Sequence, residues 1–409
     1  MAASRLAAIV TVGSELVEGI RVDTNTAQIA RMLSRKGFSV AEAVSVGDDR
    51  TFLAGVLARL CGSYAVVLVT GGLGPTHDDI TRDAASTALG ILLASDPSIL
   101  EWLSRFVGRH IDPDSKAAVL TQALVLDGAE VVMPCVGTAP GQVVDTPAGV
   151  LVLLPGPPSE MGEMLIRVME RYDSVTCDPL EIGVVGMAES DVQHAAQRAL
   201  ATFPDIVLTV LAKPGDVKVV LLDTGAGADR LASAARAVEL ELGPACYSTS
   251  GQTLAQATLA ALVAGSLTCS TAESCTGGMV SAALTDVPRS SSAFLGGVVA
   301  YSNDVKMSVL GVPAGLLGQF GAVSEQAAVA MAEGARSGLR SDISVSVTGI
   351  AGPDGGTAEK PVGLVWFAVA DSDGTAAVER RFLSGSRESV RARAAATALD
   401  LLRRRALGV

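Results

Sequence analysis

The segment Thr271-Ala272-Glu273-Ser274-Cys275-Thr276-Gly277-Gly278 concentrates hydroxyl and thiol groups between a run that reads as a strand ending at Thr271 and one that reads as a helix, Met279–Leu284. Such a turn exposes Ser274 as a nucleophile for acyl transfer, and amides at a helix start suit an oxyanion or a phosphate. A serine needs a base close by. Histidine is excluded, because His77, His110 and His194 all precede this third of the chain. Lysine is left, and residues 251–409 hold two, Lys306 and Lys360. Lys306 follows the strand-like run Gly296–Ser302; partly desolvated at that junction, it loses its proton near neutrality and serves Ser274. Spacing alone leaves a plainer reading open, a serine and a lysine on the surface. Cys275 is a rival nucleophile.

A second set of groups lies in the first 170 residues. Glycine- and carboxylate-rich turns occur at Gly13-Ser14-Glu15, followed by Asp23-Thr24-Asn25, at Thr70 to Asp79, at Gly137 to Gly141 and at Pro155 to Glu160. Glycines at strand ends let backbone approach a phosphate, and a following helix start adds a favourable field. The adjacent Asp78 and Asp79 suit a divalent cation held against phosphate oxygens. Taken singly, each turn is ordinary loop punctuation, and aspartates often cap helices.

The elements that must carry these groups follow from periodicity. Leu6–Val12, Tyr64–Thr70 and Val150–Leu154 are β-branched runs, each closed by glycine or proline. A helix with Ile29 and Leu33 one turn apart opens at the cap cluster Asp23 to Thr26 and closes at Gly37. This order predicts a mostly parallel sheet with ligands beyond its carboxyl ends. Strand-like runs at Leu180–Val185 and Val217–Leu222, with helical stretches at Ser190–Ala201 and Ala228–Leu242, predict a small α+β module. From Gly251, a helix over Gln252–Ala264, strands at Leu267–Thr271, Gly296–Ser302, Ile343–Thr348 and Val362–Ala370, and a Ser-capped helix over Ser324–Leu339 predict a second α/β domain.

With 409 residues, the chain exceeds the size of one growing core, so two or three domains are expected. Its residues are 49% apolar but only 3% aromatic, so Val, Ala, Leu and Ile must fill the cores. A net charge of −12 without a cationic stripe argues against nucleic acid as a partner. Arg403-Arg404-Arg405 reads as a solvated helix end. No apolar run approaches the ~20 residues of a membrane span, and no signal-peptide pattern opens the sequence. Six scattered cysteines make neither a disulfide framework nor a zinc site, so a reducing cytoplasm is expected.

The blocks TAESCTGG at 271–278, FLGGVVAYSNDVK at 294–306, GAVSE at 321–325 and TGIAGPDGGTAEKPVGLVW at 348–366 resemble the C-terminal domain of the competence/damage-inducible CinA family. That domain is known also as a stand-alone nicotinamide mononucleotide deamidase. The resemblance implies a Ser–Lys mechanism by Ser274 and Lys306 with Tyr301 beside them, and no cofactor. It implies substrate contacts from Thr276, Gly277, Gly278, Thr348, Gly349, Gly352 and Arg387. The family usually has Asp where Ser386 stands, which bears on the orientation of Arg387.

The block TGGLGPTHDDIT at 70–81 resembles the molybdopterin-binding fold of the MoaB/MogA proteins, in the version found in the N-terminal half of CinA. It implies a three-layer α/β domain associated with metal-dependent ADP-ribose pyrophosphatase activity. Its nucleotide site would comprise Asp23, Asn25, Asp48, Gly71, Gly72, Gly74 and Thr76, with Asp78 and Asp79 holding a divalent metal (Mg or Co). One departure stands out: the family has Asn and two basic residues where this chain has Val119-Leu120-Thr121. Two readings of this domain therefore stay open, a pyrophosphatase and a nucleotide-binding domain with weakened chemistry.

The resemblance implies an α/β protein with a molybdopterin-binding-like domain at 1–170, a small α+β, KH-like connector at 171–250 and a deamidase domain at 251–409. The connector lacks a GxxG loop, against RNA binding. Nicotinamide mononucleotide and ADP-ribose are the implied small-molecule partners, with neither nucleic acid nor membrane, in a homodimer. The rivals are a non-catalytic regulator of DNA uptake and a pterin adenylyltransferase or pterin-binding protein.

Overall fold

A computed structural model describes residues 5–106, 113–173, 179–223 and 227–409. The chain divides into two compact units, Met1–Cys177 and Asp178–Val409. The first contains β1 (Arg5–Val12), β2 (Phe38–Val46), β3 (Val66–Thr70), β4 (Leu93–Ser95), β5 (Leu124–Leu126), β6 (Glu130–Val132), β7 (Gly141–Asp145) and β8 (Val150–Leu154). Six of these form one sheet in the order β2-β1-β3-β8-β7-β6, and β4 pairs with β5. The first four are parallel, and β7 and β6 run antiparallel to their neighbours.

Side chains alternate across β1, so Ala7 and Ile9 pack with Ile29, Leu33 and Met161 on one face. Ala8 and Val10 pack with Leu53, Leu57 and Ala84 on the other. Helices thus cover both faces, the three-layer arrangement expected of a buried parallel sheet. Asp23, one residue before the N-cap Thr24 of the helix Asn25–Arg35, accepts from Thr26 N at 3.0 Å and Thr26 Oγ1 at 2.6 Å in its first turn. Gly71, at φ 103°, follows β3; a Cβ there would lie 2.3 Å from Val12 O, so only glycine allows the two strand ends to approach.

The second unit holds two sheets. One contains β9 (Leu180–Val184), β10 (Ile206–Lys213), β11 (Asp216–Asp223) and β12 (Cys246–Ser248), ordered β10-β11-β9-β12 and antiparallel throughout. Helices Glu189–Ala199 and Ala228–Leu242 accompany it. The other contains β13 (Cys269–Glu273), β14 (Phe294–Val299), β15 (Ile343–Gly349), β16 (Leu364–Asp371) and β17 (Gly374–Phe382), ordered β14-β13-β15-β16-β17. Val185, directly after β9, and Tyr247, within β12, are buried in one cluster with Leu254, Val345 and Leu399. On the other face of β15, Ser344 and Ser346 donate to the carbonyls of Ala332 and Ala328, each at 2.6 Å. Small residues therefore bring the helix Glu325–Leu339 close to the strand.

The sequence expectation of a solvated Arg403-Arg404-Arg405 needs correction. The helix Arg387–Leu407 runs to 21 residues. Its last turns place Arg403, only 6% exposed, against Asp400 Oδ1 at 2.7 Å and Pro244 O at 2.9 Å. Arg405 Nε donates to Asp371 Oδ2 at 2.6 Å. Arg403 is withdrawn from solvent, while Arg404 and Arg405 pair with Asp400 and Asp371 and stay half-buried. Among the described residues no helix is long and apolar enough to cross a membrane.

Candidate functional site

Ser274 directly follows β13, which continues two residues beyond the strand end expected at Thr271. Its amide donates to Val347 O at 2.9 Å and extends the ladder onto β15. The side chain is thereby held at the carboxyl edge of a parallel pair, where α/β sheets present reactive groups. Lys306 reaches it from the short helix Asn303–Ser308, whose start is capped by Ser302 Oγ accepting from Val305 N. Lys306 is 1% exposed, and its Nζ donates to Ser274 Oγ at 3.1 Å, Ala300 O at 2.6 Å and, more weakly, Tyr301 O at 3.4 Å.

Burial lowers the Lys306 pKa from its ordinary value. Its polar partners are a hydroxyl and two carbonyls, not a carboxylate that would hold the proton on. In the neutral amine, two N–H groups remain for the carbonyls while the lone pair accepts from the Ser274 hydroxyl. Cys275 offers no comparable nucleophile. It is 5% exposed, and burial pushes its thiol up to about 11.

The cleft above this pair has a volume of about 270 Å³. It gathers Ser274, Lys306, Tyr301, Thr348, Gly349, Gly352 and Arg387 from the expected residues. Thr276, Gly277 and Gly278 do not line it, contrary to expectation. The extended β13 brings Glu273 beneath the following helix, where its Oε2 accepts from Gly278 N at 2.9 Å and Val280 N at 3.1 Å. Its Oε1 accepts from Ser281 N at 2.8 Å and Ser281 Oγ at 2.7 Å. That helix start is already closed by a carboxylate and cannot serve as an oxyanion site. Thr276 is fully buried.

The loop after β15 supplies the opposite wall. Thr348 Oγ1 donates to Ala322 O at 2.7 Å, and Ile350 N is engaged by Leu364 O at 2.9 Å. Arg387 Nη1 donates to Gly352 O at 2.7 Å and Nη2 to Tyr301 Oη at 3.1 Å, so one guanidinium links both walls. Ser386, in place of the family's aspartate, still caps the helix, accepting from Ser389 N at 3.3 Å. The departure therefore leaves Arg387 oriented toward the cleft.

Three residues here escaped sequence reasoning. Glu273 was hidden by ending the strand too early. Arg391 donates to Cys275 O at 3.1 Å and Thr276 O at 2.8 Å; its spacing four residues after Arg387 puts both on one helix face and was the available signal. Asp354 lines the cleft from the glycine-rich loop.

In the first unit a cleft of about 350 Å³ opens beyond the carboxyl ends of β1, β3 and β8. It gathers Asp23, Asn25, Asp48, Gly71, Gly72, Asp78 and Asp79, but not Gly74 or Thr76. Asn25 Nδ2 joins the strand ends by donating to Thr70 Oγ1 at 3.0 Å and Gly156 O at 2.8 Å.

The expected metal pair is arranged differently. Asp79 Oδ1 accepts from Gly74 N at 2.7 Å, and Oδ2 from Thr76 N at 2.8 Å and Thr76 Oγ1 at 2.6 Å. Asp78 faces solvent beside His77 at 3.1 Å. Asp48 Oδ2 accepts from Ser14 N at 3.1 Å. Among the described residues no three carboxylate, His or Cys side chains converge as metal ligands. The donor set does not fit a protein-held divalent ion, because the loop's own amides fill the Asp79 oxygens. Val119 and Leu120, within the segment where the family has Asn and two basic residues, pack against the cluster of Ile99, Leu103 and Ala123.

Comparison with known proteins matches residues 251–406 to the family described as CinA C-terminal domain, and residues 8–174 to the one described as "Probable molybdopterin binding domain". A "CinA-like protein" of Koribacter versatilis is 40% identical over 98% of this chain and 99% of its own. Another, of Solibacter usitatus, is 38% identical over 98% of each. A solved structure described as competence/damage inducible protein CihA from Agrobacterium tumefaciens is 43% identical, covering 36% of this chain and 91% of that one, with a TM-score of 0.35. The full-length relatives carry the assignment: this chain belongs to the CinA family, with a molybdopterin-binding-type domain at its N-terminus.

Proposed function

We propose that the second unit hydrolyses the carboxamide of nicotinamide mononucleotide. The observation that carries this reading is the buried Lys306 amine 3.1 Å from Ser274 Oγ, at the floor of a cleft with Arg387 on its wall. Neutral Lys306 takes the Ser274 proton as Oγ bonds to the carboxamide carbon. The amides of Ala351 and Gly352 are the oxyanion donors, since the Ser274 and Ile350 amides already have carbonyl partners. Collapse of the tetrahedral adduct breaks the C–N bond, and protonated Lys306 returns its proton to the departing nitrogen, which leaves as ammonia. Lys306 then deprotonates water, which attacks the ester carbon. Ser274 regains its proton and nicotinate mononucleotide is released. Arg387 is the cation for the substrate phosphate, and Tyr301 is the wall it fixes. Equal release of ammonia and nicotinate mononucleotide by the purified chain tests the reading; no turnover of this substrate would contradict it.

A second reading concerns the first unit. Its cleft, framed by Gly71, Gly72 and Gly156 at parallel strand ends, supports binding of ADP-ribose. The Asp79 contacts favour nucleotide binding over pyrophosphate hydrolysis by a metal held at Asp78 and Asp79. Calorimetry with ADP-ribose, followed by a hydrolysis assay with added Mg or Co, separates the two; efficient metal-dependent hydrolysis would restore the enzymatic reading.

A further inference from the structure

The cleft of the first unit has an unusual balance of charge. Glu15, Asp23, Asp48, Asp78 and Asp79 line it, and Arg21 is the single Lys, Arg or His among its lining residues. An anionic ligand entering this field is repelled unless a cation meets it. Both carboxylate oxygens of Asp23 and of Asp79 accept from Thr26 and from Gly74 and Thr76, and Asp48 Oδ2 accepts from Ser14, so these carboxylates brace loops while their charge persists.

Arg21 is differently placed. It is exposed, and its backbone is fixed because Ile20 N and Arg21 N both donate to Glu15 O, at 2.9 and 3.0 Å. No partner within the protein engages its guanidinium in the described structure, which leaves the fork free for a ligand. A second, independent feature also points to a ligand. Asn25 is 9% exposed and lines the same cleft, yet its Oδ1 is buried without a hydrogen-bond donor. A buried acceptor left open at a cleft wall is completed by a bound hydroxyl or amine.

We infer that Arg21 is the anion anchor of this cleft, pairing with the phosphates of a nucleotide whose hydroxyl or amino group donates to Asn25 Oδ1. The inference rests on the reading of this cleft as a nucleotide site and adds the residue that makes an acidic cleft accept a diphosphate. The positive charge then comes from the loop of Arg21 rather than from Val119-Leu120-Thr121, which do not line the cleft.

The test is calorimetry on the full chain, wild type and Arg21→Ala, with ADP-ribose and separately with inorganic pyrophosphate, alongside thermal melts. Arg21→Ala should weaken ADP-ribose about tenfold without moving the melting temperature. Raising salt from about 0.05 to 0.3 M should erode wild-type affinity more than that of the variant. Equal or tighter ADP-ribose binding by Arg21→Ala would overturn the anchor while leaving the nucleotide reading intact. No ADP-ribose binding by the wild type, with pyrophosphate still bound through Arg21, would overturn the nucleotide reading and keep the anchor. Neither ligand binding the wild type would overturn both.

Discussion

Lys306 Nζ lies 3.1 Å from Ser274 Oγ, and its other two partners are the main-chain carbonyls of Ala300 and Tyr301. This is an amine held by neutral acceptors in a dry position, a setting that favours the free base. Ser274 and Lys306 are 32 residues apart in sequence, and β13 and β14 bring them together by pairing in parallel.

The first expected outcome concerns pH. The proposed mechanism needs neutral Lys306, so kcat/KM should rise with pH and level off above the Lys306 pKa. Burial moves that pKa down, so the midpoint should fall below the ordinary lysine value of about 10.4. A pH–rate profile on the wild type checks this. Lys306→Arg should lose about 100- to 10,000-fold in kcat at every accessible pH, because a guanidinium does not deprotonate.

Glu273 closes the helix start with four accepted hydrogen bonds. Glu273→Gln removes the charge and replaces one acceptor oxygen with a donor amide. It should cost about 1–2 kcal/mol of stability. Urea denaturation of the two proteins measures it. Identical midpoints and slopes would show that the cap contributes nothing.

Arg391 and Arg387 should separate kinetically although they stand one turn apart. Arg391 grips the carbonyls of Cys275 and Thr276, the turn directly after Ser274. Arg391→Ala should lower kcat about tenfold or more with little change in KM, and Arg391→Lys should recover part of the loss. Arg387→Ala should instead raise KM for nicotinamide mononucleotide about tenfold through loss of the proposed phosphate contact. Steady-state kinetics on all three variants would reveal an exchange of these two patterns.

In the first unit, Asp79→Asn should weaken ADP-ribose binding more than Asp78→Asn. Asp79 fixes Gly74 and Thr76, whereas Asp78 faces solvent beside His77. Calorimetry with and without added Mg or Co checks this. Equal losses that appear only with metal present would return both residues to a ligand role.

Much of this was legible in the sequence. β-Branched runs closed by glycine or proline predicted β1, β3 and β8, and cap residues predicted the helix Asn25–Arg35, because both signals are local. The Ser274 and Lys306 positions followed from residue type, the lack of histidine and motif resemblance. What escaped was non-local. β10 and β12 went unread, since their strand character depends on pairing with β11 and β9. The roles of Thr276, Gly277 and Gly278 were misplaced because strand pairing carries β13 on to Glu273, which then occupies the helix start. Arg403 reads as exposed in a basic run, yet Asp400 and the Pro244 carbonyl hold it inside.

The most direct measurement is ammonia release from nicotinamide mononucleotide by the wild type, Ser274→Ala and Cys275→Ser. Release should fall at least about 1,000-fold in Ser274→Ala and persist in Cys275→Ser, whose parent thiol is buried and pushed up to about 11. Full activity in Ser274→Ala, or loss confined to Cys275→Ser, would contradict the account.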